Sequence, residues 1–170
     1  MGLDNIPNEY PCKKQGIASL SEDGRIDCEK TQSKGNCPWQ NEYQKAVLLK
    51  EAKPTYGMLG TGCWYRGKYG NFLLGMLEGT ADSYVDTKYS FYGEGMSEDD
   101  PDSEGMSIAY CLDMHEYMTE NTEEFAYKAM QYVNENGGEN NAKDYINDWL
   151  YATWWTKFAA EHCEGSSIWY

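Results

Sequence analysis

From residue 106 onward apolar positions recur at helical spacing, whereas before residue 40 they follow no period. Residues 106–118 read as one helix. Asn121, Thr122, Glu123 and Glu124 resemble a capping box, in which a short polar side chain and a glutamate satisfy each other's backbone donors. They predict the start of a second helix, which ends at Asn136, Gly137 and Gly138. Residues 141–163 predict a third, longer helix. Its middle carries Trp149, Leu150, Trp154, Trp155 and Phe158 on more than one face. A helix of that kind is central to a core or shared with a partner.

The first half is read from its breaks. Pro7, Pro11, Gly16, Gly24, Gly35 and Pro38 interrupt residues 1–55, leaving one strand-like piece over 16–20. A short helix is expected over 44–52, stopped before Pro54. Residues 56–95 form a glycine- and aromatic-rich segment. Asn71 is the expected N-cap of a short apolar helix there, and Tyr84, Val85, Tyr89, Phe91 and Tyr92 suggest an extended hairpin over 80–95. Residues 96–105 are an acidic loop. Asp100, Asp102, Glu104 and Gly105 fit the first half of a calcium-binding loop, but Cys111 then occupies the place of the essential bidentate carboxylate. The loop reads instead as negative charge placed before a helix N-terminus. Together these elements predict one domain over 1–170. It is α+β and α-rich, with an irregular N-terminal third, a small strand or hairpin element, and a C-terminal helical hairpin or three-helix segment over 106–163.

Charge changes the picture more than composition does. The 170 residues carry a net charge of −14, which disfavours direct contact with nucleic acid or an anionic membrane. No apolar run reaches the ~18 residues needed to span a bilayer, and no basic-then-apolar leader opens the chain. A cytoplasmic protein is expected, or a component made in a host cytoplasm for a virion. Fifteen tyrosines and six tryptophans stand against four phenylalanines. Such side chains bury area while keeping a polar handle, which suits half-wet cores and interfaces.

The six cysteines stand at 12, 28, 37, 63, 111 and 163. Without a leader, a disulfide framework is not expected. With no pair of cysteines two residues apart, structural zinc is not expected either. Buried thiols are the reading. One combination stays open: if the helices before and after Gly137 fold back on each other, Cys111, His115, His162 and Cys163 gather at one end.

The candidate site lies in residues 56–79, which hold seven of the seventeen glycines and one of the two arginines. Gly62 to Lys68 follow a phosphate-loop pattern that fails at Tyr69, where a magnesium-binding hydroxyl belongs. A more general expectation survives. Gly62, Trp64, Tyr65, Arg66, Lys68 and Tyr69 form a ligand-binding set for an anion, with backbone amides and two cations supplying the recognition. The opposing reading pairs Arg66 and Lys68 with some of the 28 carboxylates. No nucleophile motif completes and no cofactor is expected.

Three pieces of the chain, MGLDNIPNEYPC, CPW at residues 37–39 and GTGCWYRGKYGN, resemble a family of uncharacterised proteins from phages and prokaryotes. The resemblance implies a phage or prokaryotic accessory protein, and no fold, activity or cofactor. The leading expectation is therefore an acidic, non-catalytic binding or interaction protein, with a protein partner or self-association. One alternative is a small enzyme or sensor for a phosphate- or carboxylate-bearing small molecule at 56–79. Another is an acidic mimic of nucleic acid that inhibits a basic protein.

Overall fold

Local capping and apolar spacing set the longer helices of the computed structural model, which describes residues 3–45, 62–80, 87–94 and 105–169. In chain order the elements are β1 (Asp4–Pro7), α1 (Pro11–Lys14), α2 (Cys28–Ser33), α3 (Pro38–Lys45), α4 (Gly67–Glu78), β2 (Gly105–Met106), α5 (Ile108–Glu120), α6 (Thr122–Asn136), α7 (Ala142–His162) and β3 (Ser166–Trp169). The fold is α+β and α-rich, as expected. Its small antiparallel sheet has the order β1-β3-β2, with Pro7 opposite Ser166 and Met106 also opposite Ser166.

The long helix α7 starts where its sequence says. Asn141 accepts from the Asp144 amide, and Asp144 returns the bond to the Asn141 amide, a complete capping box. The start of α6 differs from expectation. Asn121 flanks it but makes no capping bond; its side-chain amide donates to the Tyr117 carbonyl at 2.8 Å. Thr122 likewise donates backward, to the Met118 carbonyl at 3.0 Å, and accepts from Trp149 Nε1 at 3.1 Å. These polar side chains stitch α5 to α6 across the bend instead of capping α6. Ser107 caps α5 by accepting from the Tyr110 amide.

Helices α5 and α6 both run antiparallel to α7. His115 Nδ1–H donates to the Thr153 carbonyl at 2.7 Å, Thr122 meets Trp149, and the Tyr132 and Tyr145 rings lie 5.8 Å apart. As one number rises, its partner falls. Phe125 stacks on Trp149 at 4.2 Å, and both are wholly buried. Trp155, also wholly buried, stacks on Tyr65 at 5.2 Å, and Tyr65 packs on Phe91 at 4.8 Å. So α7 is the centre of the core, one of the two places its all-round apolar face allowed.

Helix α4 begins earlier than Asn71 implied, with Arg66 at its N-cap position. Asn71 sits inside the helix and buried, where its Oδ1 accepts from the Phe91 amide at 2.7 Å. Asn5 holds the other side of residue 91, donating from Nδ2 to its carbonyl at 2.8 Å. Two buried asparagines thus supply the hydrogen bonds that a buried loop backbone requires. This approach is possible because Gly67 and Gly70 face it: a Cβ on Gly70 would fall on the Phe91 ring, and one on Gly67 on the Asn5 oxygen.

The N-terminal third is less irregular than its breakers suggested. The strand is Asp4–Pro7, not residues 16–20, where Leu20 makes only an isolated bridge to Ile26. Asp27 caps α2 through the Lys30 amide at 2.8 Å. On α3, Trp39 and Tyr43 stack on each other and edge against Trp154. The helix expected over 44–52 falls, beyond Lys45, outside the described residues, as do most of the acidic loop and residues 81–86 of the expected hairpin. What is described of that hairpin, 87–94, forms turns with one bridge from Gly93 to Gly105.

Candidate functional site

Around Tyr65 the chain is briefly extended, pairing with Asn5 through hydrogen bonds of 2.7 and 3.0 Å. Successive side chains in extended backbone point to opposite sides. The expected binding set therefore divides. Tyr65 turns inward and is wholly buried between Trp155 and Phe91. Trp64 turns outward, half-buried, and Arg66 is exposed. Lys68 lies over the Tyr69 ring at 5.0 Å, and Tyr69 packs against the core. Gly62 is buried with φ +70, and the position of a Cβ there would be 3.4 Å from Cys28 Sγ.

The amides expected to cradle an anion are already engaged. Gly67 N donates to the Tyr65 carbonyl, Lys68 N to the Leu3 carbonyl and Tyr69 N to the Arg66 carbonyl. The first turn of α4 spends its free donors on its own chain, so little remains for a ligand there.

A different arrangement forms around Trp64. A groove of about 500 Å³ is lined by Tyr10, Lys13, Gly24, Arg25, Ile26, Cys28 and Trp64. Its volume lies within the usual range for small-molecule sites, ~300–1,000 Å³. Trp64 Nε1 donates to the Tyr10 hydroxyl at 2.6 Å. Burial raises the Tyr10 phenol above its ordinary range, so at neutral pH it keeps its own proton to donate. Among the described residues, two cations and no carboxylate line this groove, in a chain of net charge −14. The contrast is a cavity of about 430 Å³ between α4 and α6, where Lys128 is matched by Glu135.

Comparison with models of protein families, with curated proteins and with solved structures finds no match to this chain. The groove therefore has to be read from its own chemistry. Arg25 pairs with Asp23 at 3.2 Å, but both side chains are largely exposed, so the pair is easily exchanged for another anion. Lys13 makes no ion pair among the described residues. Cys28 is held as a thiol: burial first, then the neighbouring thiols, push it up to about 11. No histidine stands among the described residues that line the groove.

Of the expected binding set, Trp64 lines this groove; Tyr10, Lys13 and Arg25, which line it too, were outside that set. The missed signal is the Ser21-Glu-Asp-Gly24 turn, with Leu20 and Ile26 bridged across it, which lifts the chain's other arginine to the groove wall.

The four possible metal ligands on the helices do not gather. His115 is tied to mid-α7 through Thr153, His162 stacks on Phe158, and Cys163 lies beside Cys63. Among the described residues no group of three or more His, Cys, Asp or Glu side chains has the arrangement of a metal site. No helix among them is long and apolar enough to cross a membrane.

Proposed function

We propose that this chain is a non-catalytic binding protein, and that the Trp64 groove receives a small molecule bearing a phosphate or carboxylate. The carrying observation is the coincidence of Lys13, Arg25, Tyr10 and Trp64 around one groove whose described lining holds no carboxylate. Aromatic walls supply contact area at little entropic cost, and the two cations with the Tyr10 proton supply recognition of an anion. The non-catalytic part rests on what the groove offers for chemistry. The thiol in its described lining, Cys28, is protonated at neutral pH, and no imidazole stands beside it among the described residues of the lining.

Calorimetric titration with phenyl phosphate and with benzoate, two ring-bearing anions, tests this. Binding is expected in the unaltered chain. Arg25→Ala and Trp64→Ala should each weaken it about tenfold or more, the loss of one charge-assisted bond or one aromatic wall. Arg66→Ala should leave it unchanged. Equal weakening by Arg66→Ala would return the site to the start of α4 and overturn the assignment to the groove.

A further inference from the structure

The outer face of the small sheet continues the wall of the Trp64 groove. Burial alternates along β1: Asn5 and Pro7 are buried, while Asp4 and Ile6 are half-buried on the other side. Residues opposite each other in a ladder share a face. Trp169 of β3 stands opposite Asp4, so its indole belongs to the outer face. On the other edge of β1 the bridge from Asn5 to the wholly buried Tyr65 faces inward, so Trp64, one residue earlier, faces outward as well. The two indoles meet there, with centroids 6.0 Å apart and planes at 64°.

The two rings are held differently. Trp64 lines the groove and is fixed by the bond from its Nε1 to the Tyr10 hydroxyl. Trp169 is 57% exposed, more than any other large apolar side chain among the described residues. Edge packing on Trp64 leaves a face of that indole open to a second flat ring. Charge divides along the same line. Lys13 and Arg25 line the groove, whereas Asp4 is the residue opposite Trp169. An anionic group is therefore favoured on the groove side of Trp64. On the Trp169 side a carboxylate repels it and accepts from N–H donors instead. Two cations also match a phosphate monoester, with a charge of about −1.5 to −2 at neutral pH, better than a single carboxylate.

On the reading of the groove as an anion site, on which this depends, we infer that its ligand is a nucleoside 5′-monophosphate. Lys13 and Arg25 hold the phosphate, and the base stacks on the open face of Trp169. The ribose supplies the spacer between them. Stacking of a base on an aromatic side chain strengthens binding about 5- to 150-fold and is open to every base, because each has a π-face. The net charge of −14 restricts the site to a free nucleotide. A strand would bring a phosphate with every residue, to a groove whose described lining offers two cations.

Calorimetric titration of the full chain with the nucleoside 5′-monophosphates, ribose 5-phosphate and phenyl phosphate tests this. A nucleoside monophosphate is expected to bind about tenfold or more tightly than ribose 5-phosphate. Trp169→Ala should remove that margin and leave ribose 5-phosphate binding as it was. Trp169→Phe, which keeps a ring, should keep most of the margin. Arg25→Ala should weaken nucleotide and ribose 5-phosphate alike. Phenyl phosphate bound through Arg25, with no nucleotide preferred to ribose 5-phosphate, would overturn the nucleotide and leave the anion groove standing. A margin that survives Trp169→Ala would overturn it too, as would a short single-stranded oligonucleotide that binds more tightly than its mononucleotides. If neither phenyl phosphate nor any nucleotide binds, the anion groove itself is lost, and the nucleotide with it.

Discussion

The helices α5 to α7 and the N-terminal residues 3–45 are both well packed, but for opposite reasons. The helices are specified locally. The Asn141–Asp144 box, the Ser107 cap and the break at Gly137 each act within a few residues, and the apolar faces then meet. Among its described residues the N-terminal third has helices of 4 and 6 residues and 8 residues of α3, too few to hold themselves. Its order comes from distant partners: Asn5 on Phe91 and Tyr65, Asn8 on Gly165, Trp39 on Trp154, Tyr10 on Trp64. One region brings its structure to the core and the other takes its structure from it.

Three measurements press on that difference. The largest effect is expected at the shared core. Trp155→Ala should cost about 3–5 kcal/mol in denaturant unfolding, because it opens a cavity and orphans the Cys63 carbonyl. Trp39→Ala, on a half-buried ring in the dependent region, should cost clearly less. Equal losses would mean that the N-terminal third is as much a source of stability as α7.

Cap removal gives a smaller and sharper contrast. Asn141→Ala should cost about 1 kcal/mol of global stability, since the helix it starts runs through the core. Asp27→Ala removes the same kind of bond from a six-residue helix and should appear mainly as faster local hydrogen exchange around residues 28–33. A global loss from Asp27→Ala equal to that from Asn141→Ala would erase the distinction.

The gentlest lever is pH. Burial raises Cys12 and Cys37 above the ordinary thiol range, and with its neighbouring thiols pushes Cys28 up to about 11. A group with a raised folded pKa contributes stability that is fully present below the unfolded value and is lost as pH climbs through the folded one. The N-terminal corner should therefore loosen between about pH 9 and 11. The buried phenols of Tyr65 and Tyr151 are pushed higher still, by burial first. Helical circular dichroism should accordingly outlast native tryptophan emission on alkaline titration. Simultaneous loss of both signals would contradict the ordering.

What was legible in the sequence follows the same line. Helix α7 could be read almost to the residue, because its cap and its apolar face are written in adjacent positions. The strand β1 could not, because what makes Asp4–Pro7 a strand is Ser166–Trp169 at the far end of the chain. Asn71 looked like a cap because its type suits one, and only the approach of Phe91 shows why a buried helix interior needs an asparagine. Trp64 stood out by composition. Its partners Tyr10, Lys13 and Arg25 come from a segment that no periodicity organises, so the groove was invisible until the turn at residues 21–24 was seen folded against it.

The strand pairing also sets a clock for synthesis. Residues 4–7 are made about 160 residues before the strand they pair with. At ~5–20 residues per second, β1 waits roughly 8–30 s for its partner. Throughout that time Leu3 and Ile6 remain exposed, beside Cys12 and then Cys28 and Cys37 as they emerge. The finished molecule hides this interval. A nascent chain would spend it with an unpaired strand and open thiols, the stage at which a chaperone, a second copy or an oxidant has its best access.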